Sequence, residues 1–203
     1  MTARRTYDVS ALPDTGIGPN TTPWWGVLGF IALEGAGFSI AIGAYLYLYV
    51  INGQWPLSAS PPNHWPGTLI TLVLIASAVP NGWTDKAAHA GDLRRMRIGL
   101  IVMSVIGIAT VAIRFWEFAH LNVRWDDNAY GSMLWFLLAL HATHLITDLG
   151  DTLVLAVLMF TRHAIPRRFS DVADNCFYWY FVIVTWLPLY VLIYWVPRLG
   201  SAG

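Results

Sequence analysis

Charge is scarce in this chain and favours neither sign: charged residues fill 12% of 203 positions, with 12 Lys+Arg against 12 Asp+Glu. Without a surplus of positive charge there is little to draw a polyphosphate, and nucleic-acid binding drops out of consideration. A single cysteine, Cys176, excludes an internal disulfide and any cysteine-held dinuclear copper or iron–sulfur centre, so it reads as a small core residue. No unit of 20–50 residues recurs and no low-complexity linker interrupts the chain, which predicts one domain. The start is equally bare: residues 1–23 contain no apolar run of the kind a secretion signal needs, and they read as a polar N-terminal arm.

What the chain has in excess is apolar surface. Hydrophobic residues make up 56%, mean hydropathy is +0.52, and there are 11 Trp and 9 Tyr, the composition of an integral membrane protein. Five apolar segments, at about 24–50, 67–84, 97–120, 131–161 and 174–196, are long enough to cross roughly 30 Å of hydrocarbon as helices. The expected fold is an all-α bundle of five transmembrane helices within a membrane domain at 24–203. Segment 2 is the weakest span, because Pro80, Asn81 and Gly82 interrupt its end with a kink or an early exit.

Basic residues concentrate in alternate connections. Arg4 and Arg5 lie in the arm, Lys86, Arg94, Arg95 and Arg97 between segments 2 and 3, and Arg162, Arg167 and Arg168 between segments 4 and 5. The positive-inside rule then puts the N-terminus on the cytoplasmic (or matrix) side and the C-terminus outside. Trp24, Trp25, Trp55, Trp65, Trp83, Trp125 and Trp195 fall near segment ends, as an interfacial aromatic belt requires.

Against this apolar background, segment 4 carries His141, His144, Asp148 and Asp151. Steps of three, four and three set them on one helix face. A carboxylate near the bilayer centre costs about 2.5–3.5 kcal/mol on insertion scales, so that face should meet protein or water. Segment 1 carries Glu34 with no basic residue within a turn. At 1.5 Å per residue, Glu34 and Asp151 both lie about 15 Å from the inner boundary, Asp148 about 20 Å and His144 about 25 Å. If segments 1 and 4 touch, Glu34, His141, His144, Asp148 and Asp151 form a buried polar cluster in which not every acid can be charged, so a proton or cation is shared among them.

Three readings of that cluster stay open. The side chains can be structural, bonding neighbouring helices. They can exchange or conduct protons. Or His141, His144, Asp148 and Asp151 can ligate a metal, since His-x-x-His with acids one turn away has the right donor chemistry at a spacing that also arises by chance. Haem is argued against, because axial histidines must approach iron from opposite sides and these two share one face of one helix. Arg114 and Glu117, three apart near the outer end of segment 3, read as a secondary polar pair: a self-neutralising ion pair or a contact to a partner subunit.

Several motifs together resemble a known family. WWGVLGFIALEGAGFSIAIGAYLYLY sets Glu34 after Trp and Phe-Ile and before aromatics. FWEF to YGSMLWFLLALHATHL sets Glu117 before Tyr130, Gly131, Ser132 and then His141 and His144. NCFYWYFVIVTWLPLYVLIYW contributes Tyr178, Trp179, Phe181, Val182, Trp186, Tyr194 and Trp195. In order and spacing these resemble haem–copper oxidase subunit III (cytochrome c oxidase subunit III), in a divergent five-helix form. The chain departs from the family where Tyr180 and Ile183 replace a usual histidine and aspartate, where Asp148 replaces a usual glycine, and at Asp151.

The resemblance implies a non-catalytic component of a respiratory-chain oxidase, in a bacterial cytoplasmic or mitochondrial inner membrane. It has no redox centre of its own and packs on a catalytic subunit that holds the haem and copper of electron transport. It stabilises that subunit, binds phospholipid, and supports proton uptake in a proton-translocating complex. The alternatives are a small membrane metalloenzyme built on the segment 4 stripe, a subunit of a nitric oxide reductase-type complex, and a proton-coupled carrier, the last disfavoured by the lack of an internal repeat.

Overall fold

Every long apolar segment becomes a helix, since a chain in hydrocarbon must satisfy its backbone groups internally. The computed structural model describes residues 16–199; most of the expected N-terminal arm, with Arg4 and Arg5, lies outside the described residues. The helices are α1 (Thr22–Ile51), α2 (His64–His89), α3 (Leu93–Ala119), α4 (Ala129–Met159) and α5 (Phe169–Tyr190), the last continued by a π-helical turn (Val191–Trp195) and a final turn, α6 (Val196–Leu199). There is no strand among the described residues. Five of these units are long and apolar enough to span a bilayer, and the chain is a multi-pass membrane protein.

The helix ends are set by local chemistry. Asp92 caps α3, its carboxylate accepting from the Arg95 N–H at 3.1 Å. Asn128 caps α4 by accepting from the Gly131 N–H at 2.9 Å, while its own amide donates to the Leu57 carbonyl at 2.8 Å and ties down the α1–α2 loop. At the other end of α4 the Arg97 Nε–H donates to the Met159 carbonyl at 2.6 Å, supplying a partner that the last helical turn lacks.

Several boundaries differ from those expected. α2 does not stop at 84 but runs through Pro80 to His89, so the α2–α3 connection shrinks to residues 90–92 and Lys86 lies within α2. Neighbouring polar groups support the backbone around Pro80: the Asn81 amide donates to the Cys176 carbonyl at 2.8 Å and the Thr84 hydroxyl to the Pro80 carbonyl at 2.8 Å. α5 starts at Phe169 instead of 174, which brings Asp171 into the helix. Trp55, expected in an aromatic belt, turns inward. It is 3% exposed, stands edge-on to Tyr45 and Tyr130, and donates its indole N–H to the Tyr45 oxygen at 2.9 Å, plugging that end of the bundle.

The bundle is uneven. α2 and α5 are stitched by indole N–H bonds from Trp179 to Ser77 (2.8 Å) and from Trp186 to Thr71 (2.7 Å). α1 stands at the edge against α4 and α5. Only 11% of its apolar window is buried, against 33–44% for the others, and Phe38, Ala41 and Tyr45 are its buried residues.

Candidate functional site

The histidines of α4 face different neighbours. Three residues along a helix turn the side chain by about 300°, leaving the two about 60° apart. His144 points to α1, where its Nε2 lies 3.2 Å from Glu34 Oε1. His141 points between α3 and α5, where its Nδ1 lies 3.0 Å from the Arg114 guanidinium and its Nε2 3.0 Å from the Val182 carbonyl. The five expected residues are thus split: His144, Glu34, Asp148 and Asp151 line one cleft, and His141 belongs to a separate buried centre with the secondary pair.

The Glu34–His144 contact is flanked by two hydrogen bonds that orient its partners. His144 Nδ1 lies 2.6 Å from the Leu140 carbonyl, which can only accept, so Nδ1 carries a hydrogen. Tyr178 donates its hydroxyl to Glu34 Oε2 at 2.6 Å. The remaining pair, Nε2 and Oε1, lies 3.2 Å apart, close enough for a proton carried by either group to lie between them. Phe38, with its ring centre 4.8 Å from that of His144, closes one side of the dyad.

Toward the α4–α5 connection the dyad opens into a cavity of about 470 Å³ between α1, α4 and α5. Asp148, Asp151, Asp171 and Asp174 line it, with Asn175 and Tyr178. The Asn175 amide donates one N–H to Asp148 and one to Asp151, each at 3.3 Å, and its oxygen accepts from Thr152 at 3.1 Å. Asp148 Oδ2 is buried without a partner. Asp174 also borders a smaller cavity of about 180 Å³ that contains Asp85 and His89 at the end of α2.

The second centre is neutral by pairing. Arg114 and Glu117, 2% and 1% exposed, form an ion pair, and Tyr194 donates to the other Glu117 oxygen. Both are buried within the bundle, not at an interface as their position near a segment end suggested. The guanidinium carbon sits 4.1 Å above the Trp186 ring, a cation–π contact in a desolvated setting. Arginine only donates, so His141 Nδ1 accepts from it and His141 Nε2–H donates to Val182. Both ring nitrogens are therefore engaged with protein, and no group of three or more metal-ligating side chains converges among the described residues.

Tyr178, Asn175, Asp174 and Asp171 were absent from the sequence-derived cluster. They follow one another at steps of three, one and three along α5, a polar stripe matching that of α4, and this was the signal available.

The profile of the family described as "Cytochrome c oxidase subunit III" matches residues 28–198. Cytochrome c oxidase subunit 3 of Thermostichus vulcanus is 27% identical over 176 residues, which cover 85% of this chain and 87% of that protein. The Pylaiella littoralis protein of the same description is 26% identical over 172 residues, 83% of this chain and 62% of its own length. A probable cytochrome c oxidase subunit 3 of Mycobacterium tuberculosis is 26% identical over 148 residues, 71% of this chain and 73% of its own.

Proposed function

The chain belongs to the cytochrome c oxidase subunit III family, a family of accessory oxidase subunits, and from that premise we propose that it packs on a haem- and copper-bearing catalytic subunit and exchanges protons for it through the Glu34–His144 dyad. The observation that carries this reading is the 3.2 Å approach of His144 Nε2 to Glu34 Oε1 at the deep end of an acid-lined cleft. A proton in such a contact moves between two bases with little rearrangement, and the carboxylates along the cleft give it successive stopping points. Tyr178 orients Glu34 by its hydrogen bond and so keeps Oε1 toward the imidazole.

The cleft extends toward the α4–α5 connection, and that end of the bundle, with Lys86 in α2, Arg94, Arg95 and Arg97 in α3 and Arg162, Arg167 and Arg168 after α4, is the one the positive-inside rule assigns to the cytoplasmic or matrix side. Protons would therefore enter from the side where a respiratory complex takes them up. The large exposed apolar surface of α1 offers room for the catalytic subunit and for phospholipid.

Affinity purification of the tagged chain from its native membrane in mild detergent tests the assignment. A haem spectrum should co-elute, and the reactivity of the co-eluting subunit distinguishes an oxidase from a nitric oxide reductase-type complex. Elution of the chain alone would overturn it. Within that complex, Glu34→Gln is expected to slow proton uptake during turnover several-fold at unchanged haem content; an unaltered rate would remove the dyad from the path.

A further inference from the structure

We propose that the acid-lined wall between α4 and α5 is a site for a hydrated divalent cation of the Mg²⁺ type, held by Asp148 and Asp151. The two carboxylates are neighbours: three residues apart on α4, each accepts from the one amide nitrogen of Asn175 at 3.3 Å. Asn175 is itself fixed, its oxygen accepting from Thr152 at 3.1 Å. The amide thus serves Asp148 Oδ1 and Asp151 Oδ2 and has no hydrogen left for the second oxygen of either acid.

An independent observation calls for a ligand there. Asp148 is 3% exposed and lines the cavity, yet its Oδ2 has no hydrogen-bond partner. Among the described residues, no lysine or arginine lines the cavity, and no ion pair involves Asp148, Asp151 or Asp174. A buried carboxylate oxygen in that state needs an N–H, an O–H or a metal ion from outside the chain. Asp148 and Asp151 share the cavity with Asp171 and Asp174, and a doubly charged ion offsets that concentration of acid better than a single charge does.

The donor set selects the ion. Every available ligand atom is a hard oxygen: the two carboxylates, and the Thr147 hydroxyl, whose hydrogen is directed to the Thr143 and His144 carbonyls at 3.0 and 3.1 Å. Metals that prefer imidazole or thiolate find neither, because His144 directs its nitrogens to Leu140 and Glu34, and Cys176 does not line the cavity. Calcium takes about six to eight oxygens, whereas magnesium keeps several waters and is held by one or two carboxylates. The second pattern fits a wall where no three metal-ligating side chains converge among the described residues. At roughly 30 Å³ per water, the cavity of about 470 Å³ has space for about fifteen waters, enough for an ion that retains most of its hydration shell. Asp171 and Asp174 then accept hydrogen bonds from the ion's waters. The site takes nothing from proton exchange at Glu34 and stands or falls apart from it.

Titration of the full-length chain in mild detergent with Mn²⁺, which substitutes for Mg²⁺ at oxygen sites and is read by electron paramagnetic resonance, tests this. One Mn²⁺ should bind saturably per chain, and Mg²⁺ should displace it where Na⁺ at equal ionic strength does not. Asp148→Asn and, separately, Asp151→Asn should each weaken Mn²⁺ about tenfold or more, while Asp126→Asn, in the α3–α4 loop, should leave the affinity unchanged. If one of the α4 variants fails to fold, the other and the competition series on the unaltered chain still decide. No saturable Mn²⁺ binding, displacement by Na⁺ as effective as by Mg²⁺, or unchanged affinity in both α4 variants would overturn the site.

Discussion

Arg114 is the residue whose removal should be felt most widely. Its guanidinium meets Glu117, His141 and the face of Trp186 at once, so it joins α3, α4 and α5. Arg114→Leu leaves Glu117 buried with Tyr194 as its remaining hydrogen-bond partner, and should cost about 3–5 kcal/mol. Thermal unfolding in detergent would register this as a lowered midpoint, and Arg114→Leu/Glu117→Leu should recover part of the loss, because no lone charge is then buried. A double variant as unstable as the sum of its parts would contradict that account. Which partner each α4 residue meets was only half legible in the sequence. Periodicity sets His141 and His144 on one side of the helix, but about 60° of rotation between them suffices to give one to Arg114 and the other to Glu34. The relative depths were also displaced by uncertain helix ends: measured from Thr22, Glu34 lies about 18 Å along α1, and measured back from Met159, His144 lies about 22 Å along α4, near enough for contact.

Between elements, close approach depends on a missing side chain at Gly99. A Cβ there would collide with the Thr84 hydroxyl and come within 2.9 Å of Thr84 Cβ on α2. Gly99→Val should force α2 and α3 apart and destabilise by about 1–3 kcal/mol. Gly150→Ala, whose added methyl would meet nothing within 4 Å, should be neutral or slightly stabilising. The same unfolding assay compares the two, and similar losses would show that contact at Gly99 is not what matters. Element existence was plain from hydropathy, since windows of 18 or more predominantly apolar residues have few other uses. Ends were less plain. Pro80 looked like a stop because sequence alone does not show the Asn81–Cys176 and Thr84–Pro80 bonds that support the helix, and Trp55 looked interfacial because its tyrosine partners lie on α1 and α4.

For the whole molecule the expectation to test is orientation. In a Cys176→Ala background, a thiol introduced by His163→Cys should react with a membrane-impermeant maleimide only from the cytoplasmic or matrix side, and one introduced by Asp126→Cys only from the opposite side. Labelling from the reverse faces would invert the topology and place the cleft's mouth on the wrong side for proton uptake. Charge distribution made this much readable: Lys86, Arg94, Arg95, Arg97, Arg162, Arg167 and Arg168 gather at one end of the bundle.

The loose seating of α1 gives the Glu34–His144 contact a mechanical meaning. Phe38, Ala41 and Tyr45 are its buried side chains, so a proton gained or lost where Glu34 meets His144 would change one of the helix's few fixings. By reciprocity, whatever presses α1 home strengthens the grip on that hydrogen, and whatever lifts the helix away releases it. A subunit docked against α1 would thereby sense, and set, the occupancy of a site it never touches.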